Sequence, residues 1–281
     1  YSYEIGWEVR YEEIEDPFTG EILKYPYWAY LGNGGDFGRY MASTAEWDRI
    51  VYDTGLLPFK ASGNHRMDGP DVGKPWEEAY CVDGPYDCID PWGAAKNVVT
   101  VAAINDFGEL QSASSSGPVD DGRIKPDIVA GGHSVLSTGA GNCYYDSATA
   151  SWLFLGNLMT KSGNVTTTET FTEFDYYGSS NATAAACGAG TLMADMYEMK
   201  NRGERADPDF IKALLIHGAR ENGAHPGPDY VNGWGELDVF NSAQIFLNDY
   251  VLQGLIREGA TETQEPMRIP VEVTGDELKT T

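Results

Sequence analysis

The chain reads as an α/β protein in which a mostly parallel sheet is flanked by helices. Three observations predict this class. The run "KNVVTVAAI" (96–104) is almost continuously apolar, the pattern of a strand covered on both faces. Strand-like and helix-like runs alternate along the chain, which favours right-handed crossovers between parallel strands. Residues 180–200 carry Ala and Gly on every face, as a helix does when it packs centrally.

The elements follow in order. "YPYWAYLG" (25–32) and "LLPFKASGN" (56–64) read as strands ending in glycine-containing turns. Between them Ser43 and Glu46 form a capping box, Trp47, Ile50, Val51 and Thr54 share one face, and Gly55 stops the helix. "KPDIVAGGHSVLST" (125–138) splits into two extended pieces around a glycine pair. Asp207 followed by Pro208 starts a helix over "DPDFIKALLIHGA", and "NGWGELDVFNSAQIFL" is a turn leading into another. Residues 142–177 are Thr-rich and aromatic and read as an insertion built around a hairpin. Residues 265–281 alternate apolar and polar, like the opening strands of a further β module. The chain therefore divides into a main domain over 1–250 and a linker with first strands over 251–281.

Composition narrows the function. The 281 residues, 42% hydrophobic, suit one large domain or a domain plus a fragment. No run of 18 apolar residues is present, so no membrane-spanning helix is expected. The first residues, "YSYEIGWEVRYEEIEDP", have neither the basic start nor the apolar centre of a signal peptide. With 19 basic and 43 acidic side chains the net charge is −24, which repels nucleic acid and anionic membranes. The charge is compatible with bound calcium or an extracellular setting, although most of these carboxylates read as solvated surface. Cys81 and Cys88 bracket "CVDGPYDC" with no zinc-type partner nearby, so a local disulfide and an oxidising compartment are expected. Cys187 reads as a buried thiol. "DGPYDCID" sets Asp83, Asp87 and Asp90 in one loop, an oxygen-rich candidate for calcium; a disulfide-closed acidic loop explains it equally well.

Three blocks carry the chemistry. "ASGN" (61–64) puts Asn64 at a strand's carboxyl end, where α/β sheets hold their sites, with an amide able to donate to a developing oxyanion. "SASSSGPVDDGRIKPDIVAGG" holds no reactive group; its Pro- and Gly-pinned loop positions the strand that follows. "YYGSSNATAAACGAG" places Ser180 at the start of the small-residue helix, in the helix-dipole field and beside unpaired N–H groups.

In this order the blocks resemble the C-terminal half of the subtilisin-like serine peptidases, in the multidomain branch whose peptidase domain precedes a β-sandwich. The resemblance spans about residues 25–245 and implies a subtilisin-like sheet in partial form. It makes Ser180 the nucleophile and Asn64 an oxyanion donor, joined by the backbone N–H of Ser180. It makes Tyr30, Leu31, Gly32 and Ala61, Ser62, Gly63 the edges that pair with a peptide substrate's backbone. The implied function is a secreted endopeptidase working through an acyl-enzyme, with no cofactor required; structural calcium rests on the acidic loop alone.

The family's order is Asp, His, Asn, Ser. The chain's histidines are His65, His133, His217 and His225, none of them before Asn64. The catalytic Asp and His are therefore expected from an N-terminal half outside this sequence, bound as a separate chain or fragment. "DTG" at Asp53 ends a helix instead of a buried strand, and "HGA" at His217 follows the nucleophile; neither is expected to be catalytic. Asn181 stands where the family has Met, Ala184 and Gly131 where it has Pro. These departures leave open a second reading, a binding or scaffold module that has lost turnover. An esterase is disfavoured because no Gly follows two residues after Ser180.

Overall fold

The computed structural model describes residues 7–15, 22–30, 37–66, 86–133, 135–139, 143–146, 151–154, 172–224, 226–252, 256 and 259. An antiparallel hairpin of β1 (Trp7–Glu15) and β2 (Ile22–Tyr30) comes first, with Trp7 opposite Tyr30. Helix α1 (Ala42–Thr54) leads to β3 (Phe59–Ala61), β4 (Val99–Ile104) and β5 (Ile128–Gly131), which form a parallel sheet in the order β3-β4-β5. Strands β6 (Val135–Gly139) and β9 (Thr172–Tyr176) pair antiparallel around a hairpin of β7 (Cys143–Asp146) and β8 (Ser151–Phe154). Helices α2 (Ser179–Lys200), α3 (Pro208–Gly218) and α4 (Val239–Leu252) complete the chain. The α/β class and the central parallel sheet are as the sequence predicts, and the expected hairpin in the insertion is β7–β8.

All six residues of β4 are buried, which is why 96–104 shows no polar alternation. On one face, Val99, Val101 and Ala103 pack with Ile128 and Ala130 against Ala182 and Ala186 of α2. The small residues of α2 allow that closeness: a Cβ on Gly190 would stand 2.5 Å from the ring of Phe59. On the other face Ala102, Ile104 and Val129 pack with Leu110; Trp47 and Val51 of α1 cover Ala95 and Val98 in the segment entering β4, and Lys60 lays its ammonium 3.2 Å from the centre of the Trp47 ring. The outer edge of β5 is covered by 234–237, where Leu237 N–H donates to Val129 O at 2.8 Å. Among the described residues β3 pairs with β4 alone.

Helix α1 starts at Ala42, so Ser43 and Glu46 lie inside it and do not cap it. Thr44 takes that part, its Oγ1 accepting Met41 N–H at 3.1 Å while its hydroxyl donates to Pro91 O at 2.9 Å. Burial decides this: Thr44 faces the protein with no exposure, so its hydroxyl must be satisfied there. Gly55 ends the helix at φ 67°, as expected.

The amino ends of β4 and β5 meet in a buried ion cluster. Lys125 Nζ, on a side chain 2% exposed, reaches Asp127 Oδ2 at 2.7 Å and Thr100 Oγ1 at 2.9 Å. Thr100 N–H donates to the same carboxylate oxygen at 2.7 Å, and Lys212 of α3 meets Asp127 Oδ1 at 3.0 Å. Burial alone would raise the Asp127 pKa; the two ammonium groups overcome it and hold the carboxyl below its ordinary value. Asp127→Asn removes the carboxylate that opposes the loss of the proton from buried Lys125, and we expect it to cost about 3–5 kcal/mol of stability in denaturant titration. Asp121→Asn, which breaks the exposed pair with Arg123, should cost below about 1 kcal/mol.

Candidate functional site

The carboxyl ends of the strands carry the site. Residues Ser62–Asn64 leave β3, the 114–116 segment lies beside them, and Gly178–Ser180 opens α2. Ser62 N–H donates to Val101 O at 2.9 Å, continuing the β3–β4 ladder past Ala61. Gly63 O accepts Ser115 N–H at 2.9 Å, and Ser115 Oγ accepts His65 N–H at 3.0 Å. Ser114 Oγ accepts Ala103 N–H at 2.9 Å. The serine run of the second block thus braces the loop that presents Asn64, a role beyond the strand positioning its Gly and Pro residues suggest.

Ser179 and Ser180 divide the two roles that the sequence leaves superposed at this helix start. Ser179 is buried and Ser180 exposed. The N–H of Ser179 donates to Asn64 Oδ1 at 2.9 Å. Its Oγ lies 3.1 Å from the same oxygen and 3.0 Å from Gly63 O, and it accepts Gly63 N–H at 3.2 Å. The carboxamide oxygen of Asn64 is therefore fixed, which orients the amide and leaves its NH2 end without a partner among the described residues. No hydrogen bond among the described residues takes the N–H or the hydroxyl of Ser180. One N–H is consumed in positioning Asn64; the next remains one of the unpaired donors of a helix start. Gly178, at φ 135°, makes the approach possible, since a Cβ there would sit 3.1 Å from Asn64 Oδ1. Its N–H donates to Gly132 O at 2.9 Å, tying the turn to the end of β5.

The remaining expected site residues fall as follows. Ala61, Ser62 and Gly63 line the approach to Asn64; Tyr30 ends β2, and Leu31 and Gly32 lie outside the described residues. Asp83 and Cys81 are also outside them. Cys88 contradicts the disulfide expectation: it is a buried thiol, its sulfur 3.2 Å from the Ser116 N–H nitrogen and 3.5 Å from Ser116 O. Burial behind the serine run puts that sulfur in the braced loop. Cys187, expected to be buried, is exposed, because α2 turns that position away from the sheet. Asp87 and Asp90 do not converge, for Asp87 Oδ1 faces Gly38 while Asp90 Oδ1 faces Gly63. No group of three metal-ligating side chains is present among the described residues. Asp53 pairs with Arg49 at 3.2 Å on the outside of α1, and His217 lies in the last turn of α3; neither belongs to the site.

Two residues were not legible as site members. Ser179 was hidden behind Ser180, and Asp90 was read only as a possible cation ligand. Asp90 Oδ1 lies 3.6 Å from His65 Nε2, and the His65 ring leans on Phe37 with centroids 5.2 Å apart. Burial pushes the Asp90 pKa up to about 6, the attraction of His65 only partly opposing it.

Comparison with known proteins gives the family and the fold. The profile of the subtilase family matches residues 32–235, and the chain belongs to that family. Its fold is similar to that of the patellamide maturation protease PatA, with a TM-score of 0.50 and 18% identity over 75% of this chain and 59% of that one. The prenylagaramide maturation protease PagA matches with a TM-score of 0.48 and 17% identity over 74% of this chain and 56% of that one. The chain spans less than two thirds of either structure.

Because the folded-state pKa of Asp90 is raised from 3.8 to about 6, its ionisation disfavours the fold. Its favourable contribution is full below about 4 and is lost as pH rises through about 6. Asp90→Asn should therefore melt at a higher temperature than the unsubstituted chain near pH 8, with the difference closing below pH 4; calorimetry across that range checks it.

Proposed function

We propose that this chain supplies the nucleophile and the oxyanion hole of a secreted subtilisin-like serine endopeptidase. Ser180 Oγ attacks the scissile carbonyl carbon and gives its proton to an imidazole; the nitrogen of the broken amide bond takes that proton and leaves, and water then releases the acyl group. The oxyanion forms between Asn64 Nδ2 and the Ser180 N–H. The imidazole, and the Asp that orients it, come from an N-terminal part of the same domain outside these 281 residues. The substrate backbone adds along 30–32 and 61–63 as an extended strand. Asp87 and Asp90 face different glycines, so this reading assigns calcium no ligand pair there; the sequence that follows α4 is read as a linker into a β-sandwich.

The observation that carries this reading is the hold of Ser179 on Asn64 Oδ1, through its N–H at 2.9 Å and a hydroxyl proton shared between that oxygen and Gly63 O. A carboxamide placed only to close a turn would not need its oxygen fixed by a helix-start N–H while its NH2 stays open beside an unengaged serine. The second reading, a relative without turnover, draws on the same unengaged Ser180 and on Asn181 and Ala184 behind it.

A fluorophosphonate probe separates the two. The full-length protein should be labelled at Ser180, and Ser180→Ala should abolish labelling; an unmodified Ser180 in the full-length protein supports the non-catalytic reading. Asn64→Ala should lower kcat by about 10²–10³ with a smaller change in KM, the loss known for the equivalent donor in subtilisin. Ser179→Ala should also act mainly on kcat, and Ser179→Thr, which keeps the hydroxyl, should restore most of the rate.

A further inference from the structure

We propose that Asp90 selects substrates with lysine or arginine at the residue supplying the scissile carbonyl. This rests on the peptidase reading above and gives it a substrate class. With that carbonyl oxygen held at Asn64, the attached side chain leaves from the neighbouring Cα and lies along the backbone entering Asn64, that is Ser62 and Gly63. Gly63, at φ 110°, has no side chain to screen this stretch, and a Cβ there would be 2.8 Å from Asp90 Oδ1 and 2.7 Å from Ser115 Oγ. The Asp90 carboxylate is thus bared against the residue preceding the oxyanion donor. The loop is fixed there, since Asp90 N–H donates to Ser62 O at 2.9 Å and Asp90 O accepts Gly93 N–H at 2.7 Å.

The carboxylate also has room for a further partner. Its side chain is 30% exposed, and among the described residues no hydrogen bond to it is made. Its nearest cationic partner among those residues is the His65 imidazole, an ion pair at 3.6 Å that is too long for a hydrogen bond. A substrate ammonium or guanidinium brings a permanent charge and hydrogen-bond donors to that carboxylate, and their attraction is stronger in a partly buried site than in open solvent. The net charge of −24 adds a long-range pull in the same sense.

The test uses the full-length protein and peptides differing only at that residue: arginine, its neutral isostere citrulline, lysine, norleucine and glutamate. Arginine and lysine should exceed citrulline and norleucine in kcat/KM by about 10²-fold. Asp90→Asn should remove most of that preference while leaving the norleucine peptide within about threefold. Benzamidine binding, read by calorimetry, gives a measure independent of turnover, and Asp90→Asn should weaken it at least tenfold. Equal cleavage of arginine and citrulline peptides, or an Asp90→Asn loss spread evenly over all peptides, overturns the assignment. If no peptide is cleaved and Ser180 resists the fluorophosphonate, yet benzamidine binds through Asp90, the peptidase reading falls and the cation site stands. If peptides are cleaved without charge preference and benzamidine does not bind, the reverse holds.

Discussion

The site depends on one contact, the grip of Ser179 on the carboxamide oxygen of Asn64. It joins two segments 115 residues apart and fixes three things together. It sets where α2 begins relative to β3, which way the Asn64 amide points, and which N–H of the helix start is left unpaired. A charge developing on a carbonyl oxygen is stabilised only by donors aimed before the reaction starts. The two donors proposed for it come from different elements, so their spacing is only as good as the joint between those elements. Ser179 is that joint, and its burial keeps water from competing for the same hydrogen bonds.

The sheet supplies the rigidity behind the joint and separates stability from chemistry along the strands. At the amino ends, Lys125, Asp127 and Lys212 with Thr100 tie β4, β5 and α3 together in a buried ion cluster. At the carboxyl ends, the 114–116 serines and Gly132 hold the loops that carry Asn64 and Ser180. Placing the ion cluster at the far end keeps its charges away from Ser180. Beside Ser180 the loops are held instead by neutral hydroxyl and backbone hydrogen bonds. Among the described residues the carboxylate against this loop is Asp90, whose backbone N–H braces Ser62 O while its side chain faces Gly63.

Much of this was legible in the sequence because burial and backbone geometry leave plain marks on composition. The unbroken apolar run of β4 predicted a doubly covered strand, and the small residues of α2 predicted close packing, which holds on the face of Ala182, Ala186 and Gly190 while Ala184, Ala185 and Gly188 face outward. Asp207-Pro208 and Gly55 marked helix ends correctly. What sequence could not resolve was partnership across long separations. Ser179 and Ser180 are the same residue type in neighbouring positions, and only the twist of the helix start decides which is buried. Thr44 took the role assigned to Ser43 and Glu46 because the helix began a turn position earlier, against Pro91. Cys88 looked paired with Cys81 by spacing, but its sulfur faces the backbone of Ser116, 28 residues on. Asp83, Asp87 and Asp90 looked like one set, although the backbone sends Asp87 and Asp90 to different glycines.

Asp90 shows why the fold tolerates a locally unfavourable group. Folding takes much of the water from the carboxylate and gives back no hydrogen bond among the described residues, with the His65 imidazole at 3.6 Å only partly opposing the loss, so the pKa rises. A residue chosen for stability alone would be apolar or amidated here, with Cys88, Ile89 and Ala94 already buried around it. Such strain is affordable because the ion cluster and the α2 interface lie elsewhere and do not share partners with it. The same arrangement makes the group sensitive to whatever cation approaches along Gly63. A fully satisfied carboxylate would gain little from a ligand, whereas one left short of donors gains both charge and hydrogen bonds at once. The cost of ionising Asp90 in the unliganded fold and the discrimination proposed for it therefore share the same two features, a Gly63 without a side chain and a carboxylate without a hydrogen-bond donor among the described residues.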